Sequence, residues 1–102
     1  MSFGITPKSY NLIQTAFSRF PEIEKVLIYG SRAMGNYKTG SDIDLAVSGI
    51  NITSETILKL KILLEQELPV PYFFDITYYE TISNSALKEH IDEFGKLFYQ
   101  AN

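Results

Sequence analysis

Apolar residues recur along this chain with two different periods. Tyr10, Ile13, Phe17 and Phe20 are spaced by three, four and three, the stripe of a helix with one buried face. Thr6 followed by Pro7 supplies that helix with a cap and a first residue, and Pro21 ends it. Val26-Leu27-Ile28-Tyr29 is short and continuously apolar, which predicts a buried strand. Ile43, Leu45 and Val47 then alternate with Asp42, Asp44 and Ala46, the period of a second strand that Ser48-Gly49 closes. Ile57, Leu60, Leu64 and Leu68 predict a helix from about Thr53 to Leu68, terminated by Pro69 and Pro71. Tyr72 to Tyr79 is aromatic and β-branched, a third strand. Leu87, Ile91, Phe94 and Phe98, at spacings of four, three and four, predict a closing helix.

Between the first two strands lies a turn-rich segment, Gly30 to Gly40, with room for one helical turn around Ser31 to Met34. The order is therefore α-β-α-β-α-β-α, an α/β (α+β) layer fold in which helices flank a small three-stranded sheet. With 102 residues and no repeat, linker or low-complexity tract, residues 1–102 are expected to form a single domain. So short a chain has little room for both a reactive site and a substrate-recognition domain. Part of any specificity is expected to come from another chain.

Charge narrows the partners. The net charge is −3, and the nine Lys and Arg residues are scattered, with only Lys59 and Lys61 close together. Neutralising a nucleic-acid backbone takes clustered cations, so a DNA or RNA polymer is not the expected partner. The absence of cysteine excludes disulfides and thiolate metal sites. No run approaches the roughly 20 apolar residues of a membrane span. Met1 to Pro7 has no basic region followed by an apolar one, so no secretory signal is read there. The expected location is the cytoplasm.

The chemistry concentrates in acids on strands. Asp42 and Asp44 are two apart, so both side chains leave one face of the sheet while Ile43, Leu45 and Val47 leave the other. Strand interiors disfavour Asp. Two such charges about 4 Å apart, at an effective dielectric near 20, repel by roughly 4 kcal/mol, a large share of a small domain's stability. A divalent cation removes that cost, and carboxylates at this spacing suit Mg²⁺. The blander alternative makes Asp42 a turn cap after Gly40-Ser41 and Asp44 a solvated strand residue. Asp75 weighs against it, because an isolated carboxylate inside an aromatic strand is costly unless paired or metal-bound. Alternatively, Asp75 sits at a sheet edge and points to water. On a strand adjacent to Asp42 and Asp44 it would complete a triad suited to two-metal displacement at phosphorus.

Gly30-Ser31 supplies a second component. Gly permits close approach of the backbone to a ligand, and amides at a strand-to-helix turn, with the Ser31 hydroxyl, form an anion cradle. Gly30 to Gly35 has the spacing of a P-loop, but Asn36-Tyr37 follows where Lys and Ser or Thr are required. Arg32 and Lys38 are either triphosphate-neutralising or ordinary surface cations. Ser41 either bonds a phosphate or caps a turn. His90, the single histidine, reads as a surface or interface residue.

Gly30-Ser31-Arg32-Ala33-Met34-Gly35, then Gly40-Ser41-Asp42-Ile43-Asp44-Leu45, with Asp75 on a later strand, resembles the minimal nucleotidyltransferases of the DNA polymerase beta superfamily. The resemblance covers about Tyr29 to Asp75 and implies a mixed sheet. It also implies transfer of a nucleoside monophosphate, usually AMP from ATP, to an acceptor hydroxyl. In that light Gly30, Ser31, Arg32 and Ser41 hold the nucleotide. Asp42, Asp44 and Asp75 are the catalytic acids and hold two Mg²⁺ ions, Asp75 also helping to deprotonate the acceptor. Many members carry Arg just before the second Gly of the loop, where this chain has Met34. Stand-alone members of the family are often encoded beside a small helical HEPN-type protein, and act as the antitoxin of a toxin–antitoxin pair. The competing expectation is a catalytically weak binding module that neutralises a partner toxin by covering it. Transfer to a small molecule ranks last, because related enzymes of that type carry a further domain.

Overall fold

The computed structural model describes residues 3–102. Met1 and Ser2, which open the segment read for a secretory signal, lie outside the described residues. Helix α1 (Pro7–Ser18) starts where Thr6 accepts a hydrogen bond from the Ser9 amide, and Ile13 and Phe17 on its inner face are fully buried. Strand β1 (Lys25–Tyr29) runs directly into the short helix α2 (Gly30–Met34), which Gly35 ends in the left-handed conformation. Strand β2 (Ile43–Ser48) follows. Helix α3 (Ser54–Ile62) opens on a reciprocal cap between Thr53 and Thr56 and runs on through a π-helical turn (Leu63–Glu67). Strand β3 (Phe74–Tyr78), a short 3₁₀ turn, helix α4 (Ser85–Phe94) and strand β4 (Lys96–Gln100) complete the fold.

The sheet has four strands in the order β3-β2-β1-β4. It is mixed: β2 and β3 are parallel across the α3 crossover, whereas β1 is antiparallel to both β2 and β4. Alternation along each strand divides the apolar residues between two layers. Ile43, Leu45, Val47, Val26, Ile28, Phe74 and Phe98 join residues of α1 and α3 in the main core. The opposite face is covered more thinly, by α4 through Ile91 against Tyr29 and Ala46, with Tyr79 and Ile82 of the preceding turn packed beside them. Asp44 and Asp75 belong to that thinly covered face, and this positions the site.

The α/β class is as expected, but the sheet has one strand more than the three read from the sequence. The closing helix stops at Phe94, which is 42% exposed, and Phe98 lies in β4 rather than on a helix. Gly95 explains the change. Its backbone is already extended, its amide still caps the Ile91 carbonyl at 2.8 Å, and a Cβ there would overlap that carbonyl oxygen. The chain turns back as a strand, and a register shift opposite Val26 and Leu27 leaves Phe98 without a paired residue on β1. Its ring enters the main core edge-on to Phe3, Tyr10 and Phe17. Its carbonyl accepts from Gln14 at 2.7 Å.

Candidate active site

The pairing register decides the geometry. Tyr29, the last residue of β1, lies opposite Asp44 on β2, and Asp44 is flanked on its other side by Asp75 on β3. Two carboxylates therefore occupy adjacent strands at one level of the sheet, on backbones about 5 Å apart by normal strand spacing. Asp42 is two residues before Asp44 on the same chain. Asp42 and Asp75 are exposed and Asp44 is half-buried. Burial first, then the charges of Asp75 and Asp42, hold the Asp44 carboxyl above its ordinary value, while Arg32 and His90 act in the opposite direction. The charges of Asp75, on the neighbouring strand, and of Asp42, just before β2, thus both act on Asp44. Among the described residues, no three acidic, histidine or cysteine side chains are gathered into a ready-made metal cage. The carboxylates share a face and an electrostatic field without converging on one point. Hard oxygen donors of this kind, one of them partly desolvated, are the chemistry a Mg²⁺ ion selects.

Gly30 is fitted to Asp44. Its φ is +73°, and a Cβ at this position would collide with the Asp44 Oδ2. Only a residue without a side chain can take this turn and also let the backbone lie against the carboxylate. Ser31 follows in the first turn of α2, whose start has no side-chain cap. Tyr29 lies under the site: it is buried, and its hydroxyl is 3.3 Å from Thr77 Oγ1. Burial raises the Tyr29 pKa, the Thr77 contact lowers it, and the Asp75 and Asp44 charges raise it further. His90 of α4 stands edge-on to the Tyr29 ring, with centroids 6.1 Å apart.

The other loop residues are engaged with the protein itself. The Ser41 hydroxyl accepts from the Lys38 amide at 2.9 Å, the turn-capping role of its two readings. Arg32 is neither a surface cation nor open to a ligand along most of its donor edge. It is 4% exposed, its Nε and Nη2 both donate to the Ser41 carbonyl at 3.0 and 2.7 Å, and its Nη1 donates to the carbonyls of Phe3 and Gly4. Lys38 is exposed.

Two contributors escaped the sequence reading. Glu65, on the π-helical turn, accepts from the Phe74 amide at 2.7 Å and so pins the backbone beside Asp75. Tyr29 appeared only as a strand residue, since nothing local reveals which residue of β2 lies opposite it. His90 also lies nearer the acids than a surface reading implied. The one available hint was its position between Leu87 and Ile91 on the amphipathic stripe of α4.

A family model for the polymerase beta nucleotidyltransferase domain matches residues 11–102. The chain belongs to that family, whose members are nucleotidyltransferases. Solved structures share the fold. A toxin–antitoxin crystal structure with AMP-PNP superposes with a TM-score of 0.74 at 21% identity, covering 91% of this chain and 74% of the other. The toxin–antitoxin MntA-HepT gives 0.69 at 18% identity, covering 94% and 74%. A putative nucleotidyltransferase from Sulfolobus solfataricus gives 0.53 at 20%, covering 90% and 77%. A search of curated proteins finds no match. Among the described residues no helix is long and apolar enough to cross a membrane.

Proposed function

We propose that this chain transfers a nucleoside monophosphate, AMP from ATP, to a hydroxyl on a small helical HEPN-type partner protein, and that it acts as the antitoxin of a toxin–antitoxin pair. The observation that carries the proposal is the register of Asp44 beside Asp75, with Gly30 pressed against Asp44. Membership of the nucleotidyltransferase family supports the reaction class. The fold shared with toxin–antitoxin structures, one of them with the ATP analogue AMP-PNP, supports the nucleotide and the kind of partner.

In this reading Asp42, Asp44 and Asp75 would hold two Mg²⁺ ions, which would supply neutralising charge to the phosphates and lower the acceptor hydroxyl's pKa. Gly30 and the Ser31 amide and hydroxyl receive the triphosphate at the start of α2. Asp75, on the outer strand β3, faces the incoming acceptor and accepts its proton. The acceptor oxygen bonds to the α-phosphorus as the bond to the β-phosphate oxygen breaks, and pyrophosphate leaves on the Gly30-Ser31 side. This reading puts the phosphates on the β1 side of Asp44 and the acceptor on the β3 side, on opposite flanks of the reacting phosphorus, as an in-line displacement requires.

Incubation with ATP labelled in the α-phosphate, Mg²⁺ and the protein encoded next to this chain tests the proposal. The partner should gain label and lose toxicity, and the Asp42→Asn, Asp44→Asn double variant should do neither. Equal labelling by that variant would overturn the assignment of these acids. Full neutralisation by the variant, with no modified partner, would establish the binding module instead.

A further inference from the structure

We infer that Arg32 is a positioning residue of the site, a clamp that holds Ser41 and through it Asp42, rather than a ligand of the nucleotide. The inference rests on the proposed function for its catalytic half; the clamp itself rests on geometry. A buried guanidinium is expensive to desolvate and remains only when its donors are satisfied. Arg32 makes four hydrogen bonds to three backbone carbonyls: two to Ser41, one to Phe3 and one to Gly4. The rings of Tyr37 and Tyr72 both lie 5.2 Å from the guanidinium carbon, so the cation has an aromatic ring at each of two contacts. Moving this group to a phosphate would strand three carbonyls and break both ring contacts.

The result is a mechanical link. Arg32 belongs to α2, one residue after Ser31, and its forked grip falls on the residue just before Asp42. The turn between them, with Gly35 and Gly40 both at positive φ, is otherwise tied by short-range bonds, the Gly35 and Asn36 amides to the Ser31 carbonyl and the reciprocal pair between Lys38 and Ser41. One side chain thus ties the phosphate-side element to the first carboxylate. Lys, with one compact ammonium, keeps the charge but cannot fork onto one carbonyl while also reaching Phe3 and Gly4.

That difference is the test. Amide hydrogen exchange across residues 35–42 of the Arg32→Lys variant should be about tenfold faster or more, with the α1 and α3 cores unchanged. In kinetics, Arg32→Lys and Arg32→Gln should lose kcat alike, by about tenfold, while Kd for ATP stays within about twofold and the Mg²⁺ concentration for half-maximal rate rises. Unchanged exchange in the loop would overturn the clamp. Near-normal activity in Arg32→Lys, with ATP affinity lost in Arg32→Gln, would make Arg32 a phosphate ligand and overturn the inference. Should both variants fail to fold, Tyr37→Leu removes one ring from the guanidinium at an exposed position and should give the same pattern more weakly; normal loop exchange there would count against the clamp. If the wild type transfers no nucleotide at all, the proposed function fails, and exchange alone decides the clamp.

Discussion

At the scale of single residues, the constraint that shapes the site is between Gly30 and Asp44. The positive φ of Gly30 and its contact with the Asp44 carboxylate act together, so a methyl group is penalised twice. Forcing an L-residue into the left-handed region costs about 1–2 kcal/mol. The collision must additionally be relieved by moving Asp44 or the start of α2. Gly30→Ala is expected to remain folded, lose at least the backbone cost of about 1–2 kcal/mol in denaturant titration, and fall about 100-fold or more in nucleotide transfer, the scale of effect an ångström's misplacement produces. Transfer near the wild-type rate would show that the Gly30–Asp44 contact does not shape the site. This pair also marks where sequence reading succeeds and where it stops. Gly30-Ser31 and Asp-x-Asp are local patterns, visible without a fold. Arg32 carries a side chain equally suited to phosphate, and its fate depends on Phe3 and Ser41, whose backbone carbonyls have no signature in sequence.

At the scale of elements, α1 and α3 followed from their helical stripes, and the first three strands from a short apolar run, an alternation and an aromatic, β-branched run. The last segment did not, because Leu87, Ile91, Phe94 and Phe98 fit a helical spacing that Gly95 interrupts. Four positions are too few to fix a helical period; the continuous run Leu97-Phe98-Tyr99 just after Gly95 was the competing strand signal. The difference is measurable. Phe98 is buried among three aromatic rings, so Phe98→Ala is expected to cost about 3–5 kcal/mol, whereas the same change at Phe94 should cost well under half of that. Equal costs would contradict the assignment of β4. Glu65 gives a second check. Its carboxylate holds the Phe74 amide next to Asp75, so Glu65→Ala should destabilise the fold by about 1.5–3 kcal/mol and accelerate exchange of the β3 amides before those of β1.

The whole molecule divides its work between the two faces of one sheet. The face toward α1 and α3 is closed and supplies the core, while the face under α4 leaves its Asp44 end open, with Asp44 and Asp75 on adjacent strands and Asp42 just before β2. Such an arrangement sets stability against function. Because burial and the neighbouring acids raise Asp44, the folded state holds a proton there more tightly than the unfolded chain does. Without divalent cation, stability from this group is therefore greatest below the ordinary carboxylate value. It declines as pH climbs from that value to the raised one, and the loss persists at neutral pH. Asp44→Asn removes the desolvated charge, so at pH 7 without cation it should unfold a few degrees above the wild type while transferring no nucleotide. Mg²⁺ with a non-hydrolysable ATP analogue should reverse the order, raising the melting point of the wild type by mass action and leaving the variant unmoved. A variant less stable than the wild type in chelator would mean that Asp44 serves the fold itself, and the case for an electrostatically loaded site would fail there.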